Sequence, residues 1–223
     1  SPVISVNREN CNNPVTVGQP IPGLQIRLGD IEELQVKGPT VMKGYWKRPD
    51  ATADVFTEDG WFRTGDQADL SDAGHIRIKG RIKEIIVTST GEKIPPTDME
   101  LAIQTDPLFE QVMVVGEARP FITALAVVNE AEWEKFAKEF NVDPSDDRML
   151  MRRDIRMAAL KRLKKAASRF PQYGIPRNIR LLKEHWTVDN GCLTVTMKLR
   201  RPIIREKLRA EIDELYTVPQ NNV

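Results

Sequence analysis

Apolar and polar residues alternate in three short stretches of the first eighty positions, and this period of two is typical of half-buried strands. Two of the stretches, 24–28 (LQIRL) and 33–38 (ELQVKG), flank a turn with a Gly-Asp pair, which predicts a β-hairpin. The third, 75–80 (HIRIKG), follows a predicted turn at 71–74. Because the segments between them are rich in Gly, Pro and Asp, we predict a small β unit with long loops.

From residue 81 onwards the pattern predicts helices and strands in mixed order. One helix is predicted to begin at Thr97, because Glu100 three residues later completes a capping box. The longest predicted helix has an apolar stripe made of Met151, Ile155, Ala159, Leu163, Ala166 and Phe170. The other predicted elements are strands at 84–89, on both sides of a turn at 116–120 and at 178–182, and helices at 130–140, 146–170 and from about Pro202.

Composition adds few constraints to this picture. The chain has 223 residues, 40% of them hydrophobic, and a net charge of +1, so any binding to nucleic acid or membrane would need a local patch. There is no apolar run of about eighteen residues and no cationic start followed by an apolar stretch, which favours a cytoplasmic chain. Cys11 and Cys192 lie far apart, as do His75 and His185, so we predict no metal site, no disulfide and no histidine-based hydrolase.

The segment 87–96 (VTSTGEKIPP) has the small hydroxyls, glycine and lysine of a phosphate-binding loop. A Walker loop needs two glycines four residues apart, followed by Lys-Ser or Lys-Thr. Here Ile86 stands at the first glycine position, and Glu92 follows Gly91 where the lysine should be. We therefore interpret this segment as something other than a phosphate loop.

Four segments carry a family resemblance, and they are 38–52 (GPTVMKGYWKRPDAT), 61–66 (WFRTGD), 74–100 (GHIRIKGRIKEIIVTSTGEKIPPTDME) and 193–201 (LTVTMKLRR). In this order and spacing they resemble the adenylate-forming acyl-CoA synthetases of the AMP-binding superfamily, most of all the long-chain fatty acid CoA ligases. The resemblance implies that a fatty acid attacks the α-phosphate of ATP to give acyl-AMP and pyrophosphate, and that the thiol of coenzyme A then displaces AMP. It also implies Mg²⁺, held by the triphosphate and by parts of the enzyme outside this chain.

The resemblance assigns nucleotide-binding roles to three residues. Asp66 matches the aspartate that accepts hydrogen bonds from both ribose hydroxyls, for which a carboxylate has two suitable acceptors. Arg81 matches an arginine beside the nucleotide, and Ile78 lies where a residue lines the nucleoside. Without the resemblance, the same residues would be interpreted as a turn aspartate, a surface arginine and a core isoleucine.

The resemblance also assigns the chemistry and the motion. Lys198 matches the lysine that bridges the substrate carboxylate and the α-phosphate, and Met197 stands before it where the family usually has glycine. Lys83 matches the pivot of a mobile small domain and is otherwise an exposed lysine at a strand end. The loop of Ser89, Thr90, Gly91 and Glu92 resembles the one that lines the coenzyme A channel after rotation. In that loop Gly91 would permit close backbone approach, and Thr90 replaces a frequent second glycine.

The family's phosphate loop and its aromatic-Gly-x-Thr-Glu stretch do not occur in these residues. The resemblance therefore implies an α+β piece of a longer enzyme, with 1–80 as the β-rich C-terminal part of the large domain and 81–223 as the mobile domain. Such a piece is expected to be inactive alone in ATP–pyrophosphate exchange, since it lacks the N-terminal part of the same protein. Two alternatives stay open: an acyl-AMP ligase that passes its product to a carrier protein, and a non-enzymatic nucleotide-binding module.

A basic run from Arg148 to Arg169 contains nine basic residues and one acidic residue, Asp154. Such a run predicts a solvated helix face, or a face attracted to an anionic membrane or to the phosphates of coenzyme A. No aromatic residues are interleaved as a stacking platform, so nucleic acid is not predicted as a partner. The membrane alternative places the protein at the inner face of a membrane, bound peripherally.

Overall fold

The computed structural model describes residues 3–70 and 73–217, and the chain divides into two compact units, Ser1–Ile85 and Ile86–Val223. The turn predicted at 71–74 begins with Ser71 and Asp72, which lie outside the described residues.

The first unit is a small antiparallel β structure. A four-stranded sheet has the order β3-β4-β5-β6, and β1 and β2 form a separate pair. The predicted hairpin is confirmed, because β3 and β4 pair with Ile26 opposite Val36. The elements are β1 (Ser5–Val6), β2 (Gln19–Pro20), β3 (Gln25–Leu28), β4 (Glu33–Lys37), α1 (Pro49–Ala53), β5 (Phe62–Leu70) and β6 (Ile76–Arg81).

The second unit is a mixed α/β domain around a three-stranded sheet of order β11-β10-β9. Strand β10 runs antiparallel to β9 and parallel to β11. A separate short hairpin precedes this sheet. The elements are β7 (Ile86–Val87), β8 (Lys93–Ile94), α2 (Pro96–Ile103), β9 (Phe109–Val115), β10 (Thr123–Val128), α3 (Glu130–Glu139), α4 (Arg153–Ala166), β11 (Asn178–Leu182), α5 (Arg201–Lys207) and α6 (Arg209–Thr217).

The central strand of this sheet is buried on both faces. Ala124 and Ala126 face a core built with α2, α3 and α4. Leu125 and Val127 face a second core, which contains Trp186 and Leu193 together with residues of α5 and α6. A strand that is covered on both sides has a continuous run of apolar residues. Such a run is visible in the sequence, so the presence of β10 was predicted correctly. No helix of the described residues is long and apolar enough to cross a membrane.

The predicted helix at 146–170 is shorter than expected. A 3₁₀ turn spans Asp147–Met151, Arg152 has an extended backbone, and α4 ends at Ala166. Asp146 is the N-cap residue of this 3₁₀ turn, and its carboxylate accepts hydrogen bonds from the Arg148 backbone N–H and guanidinium. Within the predicted stripe, Ile155, Ala159 and Leu163 are buried, but Met151 is exposed. The last predicted helix is likewise divided, at Leu208 between α5 and α6.

The predicted capping box at Thr97 and Glu100 is wrong. Helix α2 begins at Pro96, with Pro95 as its N-cap residue and no side-chain hydrogen bond to the cap. Glu100 points into the protein, where it is only 5% exposed. A buried carboxylate needs a cation and hydrogen-bond donors, and its partners lie on other elements.

Candidate functional site

Asp66 and Arg81 lie opposite each other on the neighbouring strands β5 and β6. Arg81 Nη1 donates to Asp66 Oδ1 at 2.8 Å and to the Thr64 carbonyl oxygen at 2.9 Å. This bond to Arg81 uses one of the two carboxylate oxygens of Asp66. Both side chains are partly exposed. The pair therefore presents a carboxylate acceptor and guanidinium N–H donors to solvent.

Local hydrogen bonds hold the backbone before Asp66. The Thr64 hydroxyl donates to the Leu34 carbonyl and accepts from the Asp66 N–H, while the Gly65 N–H donates to Glu33. Gly65 has φ +71, a conformation that glycine adopts without strain. Thr64, Gly65 and Asp66 therefore each have a structural role within the first unit, apart from any role in nucleotide binding.

Ile78 is half-buried against the core of the first unit, beside Ala68 and Ile76. It is paired with Ala68 across β5 and β6. Lys83 is exposed in the 3₁₀ turn Ile82–Glu84, which lies just before the division between the two units.

The loop predicted to line the thiol channel is the tip of the hairpin β7–β8. The Thr88 N–H donates to the Glu92 carbonyl, the Gly91 N–H donates to the Thr88 carbonyl, and the Glu92 N–H donates to the Thr88 hydroxyl. The Thr88 and Thr90 hydroxyls are 2.8 Å apart. Gly91 has φ +85, and a Cβ there would meet nothing within 4 Å. Backbone conformation, rather than close approach, therefore explains this glycine within the described residues.

A second contact of this hairpin was missed by the sequence analysis. The turn after β9 lies along β7, where the Ala118 N–H donates to the Val87 carbonyl and the Ser89 N–H donates to the Arg119 carbonyl. The Glu117 carboxylate also accepts from the Val87 N–H at 3.1 Å. The turn was recognised at 116–120, but nothing in the sequence indicated that it would bind a strand thirty residues earlier.

Lys198 lies at the end of another exposed hairpin loop, closed by a bridge between Leu193 and Leu199. The Thr194 N–H donates to the Lys198 carbonyl, the Met197 N–H to the Thr194 carbonyl, and the Lys198 N–H to the Thr194 hydroxyl. Among the described residues, no hydrogen bond or ion pair engages the Lys198 ammonium group. The cation is therefore available to an anion from outside this unit.

The two hairpin loops have the same design, and a third copy occurs at Thr57–Trp61. In all three, a threonine hydroxyl accepts from the N–H four residues later and bonds the side chain two residues later. The residue three positions after the threonine has a positive φ: +78 at Gly60, +85 at Gly91 and +60 at Met197. This is a type I turn followed by a left-handed residue, for which glycine is the usual choice. Met197 is the exception.

A buried ion pair connects the Lys198 hairpin to the rest of the second unit. Both carboxylate oxygens of Glu100 accept from Arg201, at 2.6 and 2.7 Å, and one also accepts from the Val114 N–H at 2.8 Å. The two side chains are 6% and 11% exposed. Arg201 begins α5 directly after the hairpin, so this pair fixes the hairpin's C-terminal end to α2 and β9.

The N-terminal side of the same hairpin is fixed through β9. Gln111 bonds both the N–H and the carbonyl of Trp186, at 2.7 and 2.9 Å. Asn190 then bonds the backbone of His185, Thr187 and Cys192. In the sequence, these polar residues are typical of loops. Only the folded chain shows that they hold the hairpin in position.

The structure also brings Cys11 and His75 together, which the sequence analysis left apart. Cys11 Sγ lies 3.2 Å from His75 Nε2, and His75 Nδ1 lies 3.0 Å from the Thr16 hydroxyl oxygen. Because that hydroxyl donates to the Asn13 carbonyl, its oxygen accepts from Nδ1–H, and Nε2 accepts from the thiol. Within residues 3–70 and 73–217, no cluster of three His, Cys, Asp or Glu side chains is placed to hold a metal ion.

The basic run from Arg148 to Arg169 is partly engaged within the protein. Four of its arginines form ion pairs: Arg148 with Asp146, Arg152 with Asp154, Arg162 with Asp106 and Arg169 with Asp98. The hydrogen bond from Arg152 lowers the pKa of Asp154 to about 2. This pairing reduces the charge that the face presents to solvent.

Comparisons with known proteins support the family resemblance of the four segments. The profile of the AMP-binding enzyme C-terminal domain matches residues 83–219. The long-chain-fatty-acid–CoA ligase FadD15 of Mycobacterium tuberculosis is 36% identical over 209 residues, which cover 90% of this chain and 34% of the relative. The chloroplastic long-chain-fatty-acid–acyl-carrier-protein ligase AEE15 of Arabidopsis thaliana is 31% identical over 238 residues, covering 97% of this chain and 31% of the relative. The chain thus spans about a third of the length of these curated relatives.

A solved structure shares the fold. The A domain of the carboxylic acid reductase from Segniliparus rugosus, in complex with AMP and a co-purified carboxylic acid, matches with a TM-score of 0.69. The identity is 26%, over 90% of this chain and 32% of that chain. The predicted α+β class is confirmed by this match and by the mixed sheet of the second unit. The chain therefore belongs to the AMP-binding enzymes, and its residues 83–219 match the C-terminal domain of that family.

Proposed function

We propose that the chain is the C-terminal part of an acid–thiol ligase, which activates a long-chain fatty acid with ATP and transfers the acyl group to coenzyme A. One observation carries this proposal: a relative named as a long-chain-fatty-acid–CoA ligase is 36% identical over 90% of the chain. In the proposal, 1–80 completes the large domain and 81–223 is the mobile domain. The N-terminal part of the protein supplies the remaining ATP and fatty acid contacts.

The first half-reaction, which forms acyl-AMP, uses nucleotide-binding residues of the first unit and Lys198 of the second. Asp66 accepts from the ribose hydroxyls of ATP, and Arg81 orients Asp66 while its remaining N–H groups donate to the nucleotide. Ile78 lines the nucleoside from the edge of the first core. Lys198 bridges the fatty acid carboxylate and the α-phosphate, so that a fixed cation meets the negative charge that develops as acyl-AMP forms and pyrophosphate leaves.

The second half-reaction uses the β7–β8 hairpin. The loop of Ser89, Thr90, Gly91 and Glu92 lines the path by which the thiol of coenzyme A reaches acyl-AMP. The thiol sulfur forms the thioester bond to the acyl carbon, and AMP leaves. The Ser89 N–H donates to the Arg119 carbonyl and the Ala118 N–H to the Val87 carbonyl, so the loop is anchored at its first residue and at the strand before it.

Mg²⁺ takes part through groups outside this chain in the proposal. Within the described part of the chain, no group of three acidic, His or Cys side chains is placed to hold a metal ion. When bound to the triphosphate, Mg²⁺ would neutralise phosphate charge during adenylation.

Assays of the complete protein test the proposal. We expect ATP–pyrophosphate exchange that depends on a long-chain fatty acid, followed by thioester formation with coenzyme A. The relative named as an acyl-carrier-protein ligase, at 31% identity, makes a carrier protein the second candidate acceptor. Transfer to a phosphopantetheinylated carrier protein but not to coenzyme A would select that alternative. Absence of exchange with every carboxylic acid would overturn the ligase proposal.

Lys83 is proposed as the pivot between the two half-reactions. Proline fixes φ, so Lys83→Pro should restrict rotation at the 3₁₀ turn Ile82–Glu84. We expect one half-reaction to slow by at least about tenfold relative to the other, because only one domain orientation remains easily reached. The matched control, Lys83→Ala, leaves the backbone free and should change both rates alike. Equal effects of proline on both half-reactions would contradict a pivot at this residue.

Peripheral membrane contact through the Arg148 to Arg169 run is a separate proposal. Its support is the set of exposed cations Arg153, Lys161, Lys164 and Lys165. Attraction to anionic lipid contributes about 1 kcal/mol per basic residue near the surface. Co-sedimentation with phosphatidylserine vesicles should therefore exceed that with phosphatidylcholine vesicles, and should fall when the four residues are changed to glutamine. Equal co-sedimentation with both lipids would contradict the contact.

A further inference from the structure

A thiol and an imidazole meet in the first unit, and neither has a role in the proposed reaction. Cys11 Sγ lies 3.2 Å from His75 Nε2, which is within hydrogen-bond reach of a thiol. His75 is only 3% exposed, whereas Cys11 is partly exposed. The imidazole is therefore shielded from solvent, while the cysteine keeps part of its surface accessible.

The Thr16 hydroxyl determines which ring nitrogen of His75 carries the proton. This hydroxyl donates to the Asn13 carbonyl and accepts from the Gly18 N–H. Because its hydrogen is already used, its oxygen accepts from His75 Nδ1–H, at 3.0 Å. The other ring nitrogen, Nε2, is then unprotonated and faces the thiol as a base.

Hydrogen bonds to the backbone hold the two side chains in place. The loop that carries the thiol spans 7–16, and the Asn7 side chain closes it by bonding two backbone groups at its far end. Residues 17–18 then pair with Ile76, which directly follows His75 on β6. The thiol and the base are thus fixed by separate backbone segments that are bonded to each other.

A nucleophile within hydrogen-bond reach of a base, which a third group orients, is the arrangement that activates a thiol. Here Cys11, His75 and Thr16 take these three positions. The second cysteine provides a contrast, because Cys192 is 3% exposed and its Sγ donates to the Asn190 carbonyl at 3.9 Å. The two cysteines therefore differ in access to solvent and in their neighbouring group, and both properties control thiol reactivity.

We propose that Cys11 is a site of modification by low-molecular-weight disulfides, with His75 as its base. Nε2 takes the thiol proton, and the thiolate attacks one sulfur of the disulfide. A new S–S bond joins Cys11 to that sulfur, the S–S bond of the reagent breaks, and the released thiolate takes the proton from His75. Cys11 is oxidised and the released thiol is reduced, so the disulfide is the only co-reactant. This inference is independent of the proposed ligase function.

The test incubates the complete protein with oxidised glutathione at neutral pH and follows the glutathionylated peptides by mass spectrometry. Cys11 should react at least about tenfold faster in the folded protein than in the protein unfolded in urea, because the unfolded chain loses the oriented base. Cys192 should show the opposite order, since folding buries it. A Cys11 that reacts no faster in the folded protein than in the unfolded one would overturn the inference.

A variant of the base tests its role separately. His75→Asn keeps a donor for the Thr16 hydroxyl but has no nitrogen at the position of Nε2, so it should slow modification of Cys11 at least about tenfold. The matched control is His185→Asn, which changes the other histidine of the chain and should leave the rate within about twofold. An unchanged rate in folded His75→Asn would overturn the role of the base. Thermal unfolding shows whether this variant is folded, and if it is not, the comparison of folded and unfolded unaltered protein decides the question by itself.

Discussion

Replacing Lys198 with alanine is expected to lower the rate of acyl-adenylate formation in the complete protein about 10²-fold, the effect typical of losing one preorganised charge-stabilising group. The ammonium group is exposed and unengaged among the described residues, so its removal should not unfold the domain. The measurement is ATP–pyrophosphate exchange driven by a long-chain fatty acid. Lys198→Arg tests whether the position of the charge matters, since it keeps the charge but replaces a compact ammonium group with a planar guanidinium group.

Two controls sharpen this experiment. Lys138→Ala removes an exposed lysine from α3 and should leave exchange within about twofold, as is usual for surface substitutions. When pre-formed acyl-adenylate is supplied, thioester formation by Lys198→Ala should proceed near the unaltered rate, because the lysine acts only in the first half-reaction. Unchanged exchange in Lys198→Ala would contradict the proposed role of this lysine, whereas absence of exchange in the unaltered protein would favour the non-enzymatic nucleotide-binding module.

Removing the buried carboxylate of Glu100 is expected to have the largest effect on stability. Glu100→Ala removes the carboxylate that binds the Arg201 guanidinium, 11% exposed, through two hydrogen bonds, and it removes the acceptor of the Val114 N–H. Breaking a buried pair on one side costs about 3–5 kcal/mol. Urea unfolding monitored by tryptophan fluorescence should show this loss, because Trp133 and Trp186 lie in the two cores of the second unit.

The matched control is Glu134→Ala, which removes an exposed glutamate of α3 and should change the unfolding free energy by less than about 0.5 kcal/mol. The double variant Glu100→Leu with Arg201→Met removes both charges, so it should recover part of the loss. A cost below about 1 kcal/mol for Glu100→Ala would mean that the pair contributes little to holding the Lys198 hairpin.

The strands were accessible from the sequence because their apolar and polar patterns are local, and the hairpin loops because their hydrogen bonds are local. The alternation at 24–28 and 33–38 predicted β3 and β4, and the apolar segments on both sides of the turn at 116–120 predicted β9 and β10. The three-loop pattern was not recognised, although it is visible in the letters TEDG, TSTG and TVTM. Its hydrogen bonds span four residues, so the sequence contains all the information that the loop needs.

The errors occurred where a side chain had both a local and a distant partner. Glu100 fits a capping box with Thr97, but the distant partners Arg201 and Val114 bind it with three hydrogen bonds in a buried site. A charge-assisted bidentate pair is stronger than a neutral cap. The helix expected over 146–170 is interrupted at Arg152, whose non-helical ψ of 132° separates the 3₁₀ turn Asp147–Met151 from α4.

For the site, residue types and order along the chain were enough to assign Asp66, Arg81, Lys83, Lys198 and the loop at 89–92 to roles by resemblance, and these roles stay predictions. Residue order cannot indicate which elements hold those residues in position. Only the tertiary structure joined the turn at Ala118 to β7 and α5 to α2, and placed Cys11 against His75. Such contacts depend on which surfaces the packed sheet brings together, whereas a hairpin loop depends on five consecutive residues.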